Sequence, residues 1–288
     1  MIQALAQAAV QGLLIGAVYA LITMAMTLVF SVAGLLNFAH GDFLALAMFG
    51  ALLASAHLGL DPYLAAPVLA VGFAAFGVVL FRRLLRPVLD SGVLVGAQLT
   101  LGLMFVVENG LLLAFGGDAR GQATVLSNRN LVLGPLVLPW TLVVGAAAAA
   151  ALSALLYWVL MRTDFGRQIR AITQNRDAAA LMGIAIARVQ GQGFALGLAL
   201  LGLSGPLIVS EFTLTPTMGL DLTLLALIVM VFGGIGSFFG SLVGGLVIGV
   251  AESVGSFLWG GTVGAMIPYL VLIATLLLRP QGLFGERE

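Results

Sequence analysis

Apolar runs, each closed by a short polar or Arg-bearing segment, follow one another along this chain. A helix needs about 20 predominantly apolar residues to cross a bilayer core. Runs of that order are predicted at 10–32, 62–81, 92–115, 140–161 and 191–209, with shorter ones at 43–56, 222–232 and 265–278. Within the first run Gly12, Gly16 and Ala20 recur at every fourth position. That is a small-residue face on which another helix can approach closely. Gly236, Gly240 and Gly244 repeat in the same way, as do Gly245 and Gly249, and the context of Glu252 favours close packing with a partner helix. The alternation in Asn130-Leu131-Val132-Leu133 predicts a short strand inside a polar loop at 116–139.

Two stretches interrupt the apolar pattern. LLNFAHGDF (35–43) is polar and comes too soon after the first run to begin a second full span. The half-length run at 222–232 meets GGIGSFFGSLVGG (233–245), so 222–253 either crosses twice or is partly re-entrant. Non-helical backbone at membrane depth survives only where protein or a water-filled cavity covers it. Broken helices therefore point to a permeation path, and the two breaks, around 37–42 and 233–236, are expected to approach each other near it. The candidates are Asn37, His40 and Asp42 at the first break and Gly233, Gly234 and Gly236 at the second. The first three could line a path, hold freed backbone groups, or, for Asp42, cap the next helix. A half-helix starting near GGIGS would also present free N–H groups. Glu108 and Asn109 lie in the fourth run, and Gln98 shares a helix face with Asn109, about 20° away. Such groups usually face a bundle interior or a cavity.

Composition makes the class firm. Of 288 residues 61% are hydrophobic and 8% charged, with a mean hydropathy of +1.15, whereas soluble domains carry about 25% charged residues. The chain reads as an all-α polytopic membrane protein of eight or nine crossings with broken or re-entrant segments, one domain over 1–288. The first basic residue is Arg82, so no cleavable signal is expected and the first run stays as a membrane helix. There is no Cys, and all twelve basic side chains are Arg. Disulfides, thiolate chemistry, Schiff bases and a Lys-bearing phosphate loop are thereby excluded from this chain. No cofactor, metal or nucleic-acid site is expected, and no acid–base cluster suggests an enzyme.

The arginines place the ends of the spans. Excess Arg at 82–86, 162–188 and 279–287 alternates correctly with the other loops if the N-terminus is external and the C-terminus cytoplasmic. The segment 162–188 alone carries five of the twelve Arg residues. A charge costs roughly 2.5–3.5 kcal/mol at the centre of a membrane helix, so this segment lies outside hydrocarbon. After Asp177, the run Ala178-Ala179-Ala180-Leu181-Met182 is helix-forming and is stopped by Gly183. A short amphipathic helix among basic groups at the inner face suits docking of a soluble partner; the alternative is an anchored loop.

Five motifs in order now carry a resemblance: GLLIGAVYALITMAMTLVFSVAGLLNFAHGDF (12–43), Arg86-Pro87, FGRQIRAITQNRDAAALMGI (165–184), GGIGSFFGSLVGGLVIGVAES (233–253) and RPQGLFG (279–285). Together they resemble the permease subunits of ATP-driven importers for branched-chain amino acids, of the Liv-H type. The resemblance implies a transport subunit in the bacterial inner membrane, in contact with lipid. It also implies a second related permease subunit, two cytoplasmic ATPase subunits and an extracytoplasmic substrate-binding protein. The segment Asp177, Ala178, Ala179, Ala180 to Gly183, with Arg167 and Arg170 nearby, is then expected to be the coupling helix that fits a groove of the ATPase. Members often carry a Lys before GGIGS, where this chain reads GLDLTLLALIVMVFGG. Related permeases move urea, short amides, aromatic compounds or other amino acids, and a stand-alone secondary transporter or channel is the reading of another class.

Overall fold

The structure, a computed structural model, describes residues 1–285. Among them are eleven α-helices: α1 (Ile2–Ala33), α2 (His40–Leu58), α3 (Pro62–Leu80), α4 (Val93–Phe115), α5 (Trp140–Arg162), α6 (Asp164–Gln174), α7 (Arg176–Leu181), α8 (Ile186–Ile208), α9 (Met218–Gly233), α10 (Phe238–Trp259) and α11 (Gly261–Leu278). Eight helices are long and apolar enough to span a membrane, and α9, with 16 residues, is a shorter apolar helix. The predicted spans therefore appear, with extensions. The first begins at Ile2 rather than at residue 10, and the sixth at Ile186 rather than at 191. Hydropathy marks the hydrocarbon length, whereas the helix continues into the polar margin.

Helix α1 is apolar on all sides and is the buried axis of the bundle, touching α5, α8, α9 and α10. Its packing on α10 follows from the glycine repeats. A Cβ on Gly16 would lie 2.8 Å from the Gly245 carbonyl oxygen, and one on Gly249 would lie 2.5 Å from Gly16 Cα. Backbone meets backbone along this seam, Ser253 Oγ donates to the Ala8 carbonyl (2.7 Å), and Glu252 sits against Tyr19. In the middle of the same region Thr27 and Ser241 hydroxyls meet at 2.7 Å, both buried.

One end of the bundle is closed by a hairpin, β1 (Asn130–Leu133) and β2 (Leu136–Pro139), which confirms the strand read from alternation and supplies its partner. The Gln7 side chain bonds the Val137 backbone on both sides. Asp61 joins the cover, with one oxygen capping α3 at Tyr63 (3.0 Å) and the other accepting from Val125 N–H (2.8 Å). The opposite end carries the Arg-rich segments. There α5 turns sharply into α6, because Thr163 caps the Gly166 N–H (3.3 Å) and a Cβ on Gly166 would strike the Leu160 carbonyl. Helix α6 was not foreseen as separate from α7. It buries Ile169 and Ile172 and ends at Asn175, whose side chain caps α7 through Ala178 N–H (2.9 Å).

Candidate functional site

The two interruptions of the helical pattern sit at different depths. The first starts at Gly34, with φ +66, at the Arg-rich end of α1. The chain then climbs back beside α1, so that the His40 ring of α2 lies 3.0 Å from the carbonyl of Ile22. That carbonyl is eleven residues, or about 17 Å, before the end of α1. A carbonyl accepts only, so in this bond His40 Nε2 donates.

Irregular backbone at this depth needs partners, and two lone threonines provide them. Thr100 of α4 accepts from Phe38 N–H (3.2 Å) and has the Leu36 and Ala97 carbonyls within 3.1 and 2.9 Å. Thr223 of α9 accepts from Gly41 N–H (2.8 Å), and its own proton is shared between the Phe38 and Gly219 carbonyls. Asn37 Oδ1 accepts from Ala39 N–H (3.2 Å). With one bond from Asn37, the freed backbone of this segment is held chiefly by Thr100 and Thr223, neither of them among the sequence candidates. Their only sequence signal is a lone hydroxyl inside an apolar run.

Asp42 does not cap α2: Ala39 occupies the N-cap, and Asp42 lies inside the first turn. Its carboxylate rests on Gly219, whose own Cβ would fall 2.3 Å from Asp42 Oδ1. Two helices therefore start side by side within the bundle, α2 at His40 and α9 at Met218, with Gly41 and Gly219 permitting the contact. Asp42 is 1% exposed, and both its oxygens, like Asn37 Nδ2 and His40 Nδ1, have no hydrogen-bond partner among the described residues. Two helix N-termini favour negative charge at this point. Glu108 of α4, only partly covered, is near enough to act on Asp42 electrostatically. Asn109 is exposed and bonds its own helix at the Phe105 carbonyl (2.8 Å), and Gln98 is exposed as well. The shared face of Gln98 and Asn109 thus looks out of the chain rather than into its own bundle. A polar stripe on a mostly uncovered apolar helix calls for a cover other than lipid.

The second interruption follows α9 at its other end. Gly234 (φ +108) and Gly236 (φ +82) turn the chain, and Ser237 caps α10 through Gly240 N–H (3.0 Å). Gly233 and Gly240 meet backbone to backbone, so most of GGIGSFFGSLVGG belongs to the closely packed helix α10 rather than to a loop. The last carbonyls of α9 are taken by the RPQGLFG segment: Leu283 N–H donates to Phe232 O (2.9 Å) and Phe284 N–H to Gly233 O (3.0 Å). Residues 37–42 and 233–236 are the two breaks expected to approach each other. They do not: the first set lies on the opening turns of α9 and the second follows its close. From Thr223 to Gly233 the helix spans about 15 Å. It is Gly34 that shares a groove with Ile235, Gly236 and Arg176.

At the Arg-rich end Arg167 pairs with Asp164 in the open, and Arg170 bonds the Leu160 carbonyl. Thr173 Oγ1 is 3.0 Å from the Ser31 carbonyl and ties α6 to the end of α1. In α7, Asp177, Ala178 and Ala180 are exposed, while Ala179 faces the bundle. The outward apolar side chains are Leu181 (90% exposed) and Met182 (83%), which the sequence reading did not single out. Gly183 has φ +82, and a Cβ there would meet nothing within 4 Å, so its requirement is conformational rather than steric.

Comparison with known proteins agrees with this architecture. Residues 8–276 match the family described as branched-chain amino acid transport system / permease component. The high-affinity branched-chain amino acid transport system permease protein BraD of Pseudomonas aeruginosa is 28% identical, over 98% of this chain and 96% of BraD. The corresponding LivH protein of Escherichia coli K12 is 28% identical over 96% of this chain and 94% of its own. Among solved structures, a chain of PsaBC from Streptococcus pneumoniae, determined in complex with Fab, aligns at a TM-score of 0.50. It covers 94% of this chain and 91% of that one at 14% identity, a likeness of fold.

Proposed function

The chain belongs to the branched-chain amino acid transport permease family, and on that premise we infer that it is the membrane-spanning subunit of an ATP-driven importer for branched-chain amino acids. It is a multi-pass transport subunit, with ATP hydrolysis assigned to two separate cytoplasmic ATPase chains. A second related permease, an extracytoplasmic binding protein and the bacterial inner membrane complete the proposal. The N-terminus and the hairpin end face outward, and the Arg-rich end faces the cytoplasm. The polar stripe of Gln98 and Asn109 on uncovered α4 supports a partner permease, or the path between the two, on that side.

The observation that carries the coupling reading is α7. It presents Leu181, and Met182 at its C-cap, almost fully to solvent, and it packs on α6, which Thr173 ties to the end of α1, the axis of the bundle. Burying a Leu or Met side chain is worth about 1.5–3 kcal/mol. Motion imposed on α7 would pass to α1, and from there to the site where α2 and α9 begin. Leu181→Glu and Met182→Glu should reduce ATPase co-purification about tenfold or more, with the permease inserted at its normal level. Unchanged ATPase association in the double variant would remove α7 from the docking surface. Orientation has its own test, because the chain lacks Cys. A single Cys at exposed Gln174 should react with an impermeant reagent only after the cells are opened.

A further inference from the structure

Between α3 and α8, at the Arg-rich end, lies a groove of about 930 Å³ that no part of the transport reading uses. Its inner stretch is lined by small and apolar side chains, Ala74 and Val78 from α3 and Ala195, Leu196 and Ala199 from α8. Its mouth is lined by Arg82, Arg86 and Arg188. The sequence explains this layout. A π-helical turn, Phe81–Leu85, continues α3 past its apolar part, with Arg86 N–H reaching back to the Phe81 carbonyl (2.8 Å). Residues four apart on a helix share a side, so Arg82 and Arg86 face together, while Arg188 comes from the first turn of α8. Gly191 lets the Phe81 ring close the floor beneath them, since a Cβ there would be 3.0 Å from that ring.

The described residues that line this groove include no acid. Three gathered guanidinium groups repel one another, and each presents a donor fork that suits phosphate oxygens. An anion shared among them removes the repulsion. The apolar stretch below runs along two helices of membrane-spanning length, so the anion best matched carries its own hydrocarbon. We propose that this groove binds an anionic phospholipid, its phosphate held by Arg82, Arg86 and Arg188 and an acyl chain lying along α3 and α8. The proposal rests on the multi-pass membrane reading and not on substrate or coupling. Its consequence is a fixed distance between α3 and α8 at the face where ATPases are proposed to dock.

The complete chain in phosphatidylcholine nanodiscs doped with phosphatidylglycerol or cardiolipin provides the test, read by native mass spectrometry after transfer to mild detergent. Anionic lipid should be retained in preference to phosphatidylcholine. Arg82→Gln, Arg86→Gln and Arg188→Gln should each lower the retained fraction about fivefold, the factor expected for one interfacial charge. Arg129→Gln, at the hairpin end, should leave it unchanged. Ala199→Trp, which fills the groove while sparing the arginines, should also weaken retention. Inorganic phosphate should not displace the lipid. Equal retention by the triple Gln variant, or equal retention of phosphatidylcholine, would overturn the proposal. Displacement by inorganic phosphate would reassign the arginines to a free anion. Loss of co-purifying subunits with lipid retention intact would assign them to an acidic protein surface.

Discussion

Gly41→Ala is the most direct probe of the place where α2 and α9 start together. An added Cβ would lie 2.0 Å from the Gly219 carbonyl oxygen and 2.6 Å from the Thr223 nitrogen. Ordinary contact begins at about 3.4 Å, so the shortfall is about 1.4 Å. Both obstacles are backbone, and no rotamer change relieves them; the helices have to separate. Overpacking of this kind costs about 1–3 kcal/mol. Separation also stretches the Gly41 N–H bond to Thr223, now 2.8 Å. A buried donor left unsatisfied costs about 1–3 kcal/mol more. The sum, about 2–6 kcal/mol, is large against the stability of a single domain. The assay is thermal unfolding of a fluorescently tagged chain in detergent, followed by size exclusion, alongside uptake in cells. Gly72→Ala is the control, because a Cβ at that α3 glycine meets nothing within 4 Å. Gly41→Ala should melt well below wild type and lose uptake, and Gly72→Ala should melt at or slightly above it. Equal melting of the two variants, with uptake intact, would refute the close approach.

Thr223→Val keeps the shape but removes the acceptor for Gly41 N–H, so a loss of about 1–3 kcal/mol is expected. Thr223→Ser should restore most of that melting temperature. Gly249→Ala drives a Cβ to 2.5 Å from Gly16 Cα and should loosen α1 from α10. Gly261→Ala, with nothing within 4 Å, should be neutral in the same melt. At Gly183 the cost of Ala is left-handed backbone strain, about 1–2 kcal/mol, with no clash. Gly183→Asn should be milder in thermal unfolding, because Asn tolerates that region better.

The sequence by itself determined the class, the spans and the family. Transfer of apolar side chains out of water is a local property of each run, so hydropathy finds α1, α3, α4, α5 and α8 without knowledge of their neighbours. Charge cost placed the arginines outside hydrocarbon by the same local logic. The glycine repeats also announced close packing, because a missing Cβ is visible in the sequence. Which seam each repeat served was decided by the tertiary structure. Gly12 and Gly16 meet Gly245 and Gly249, whereas Gly233 meets Gly240 across the second turn. The site followed the same division. Polar residues in LLNFAHGDF marked a break, but its partners, Thr100 and Thr223, are 62 and 182 residues away in hydrogen-bonded pairs, and no local pattern links them. The expected meeting of the two breaks failed for a related reason, since α9 interposes about 15 Å of helix between them. Depth within the bundle, the outward face of α4 and the clustering of Arg82, Arg86 and Arg188 all depend on how whole helices lie against one another. Packing of that kind is a property of the assembled bundle, and no single run of residues encodes it.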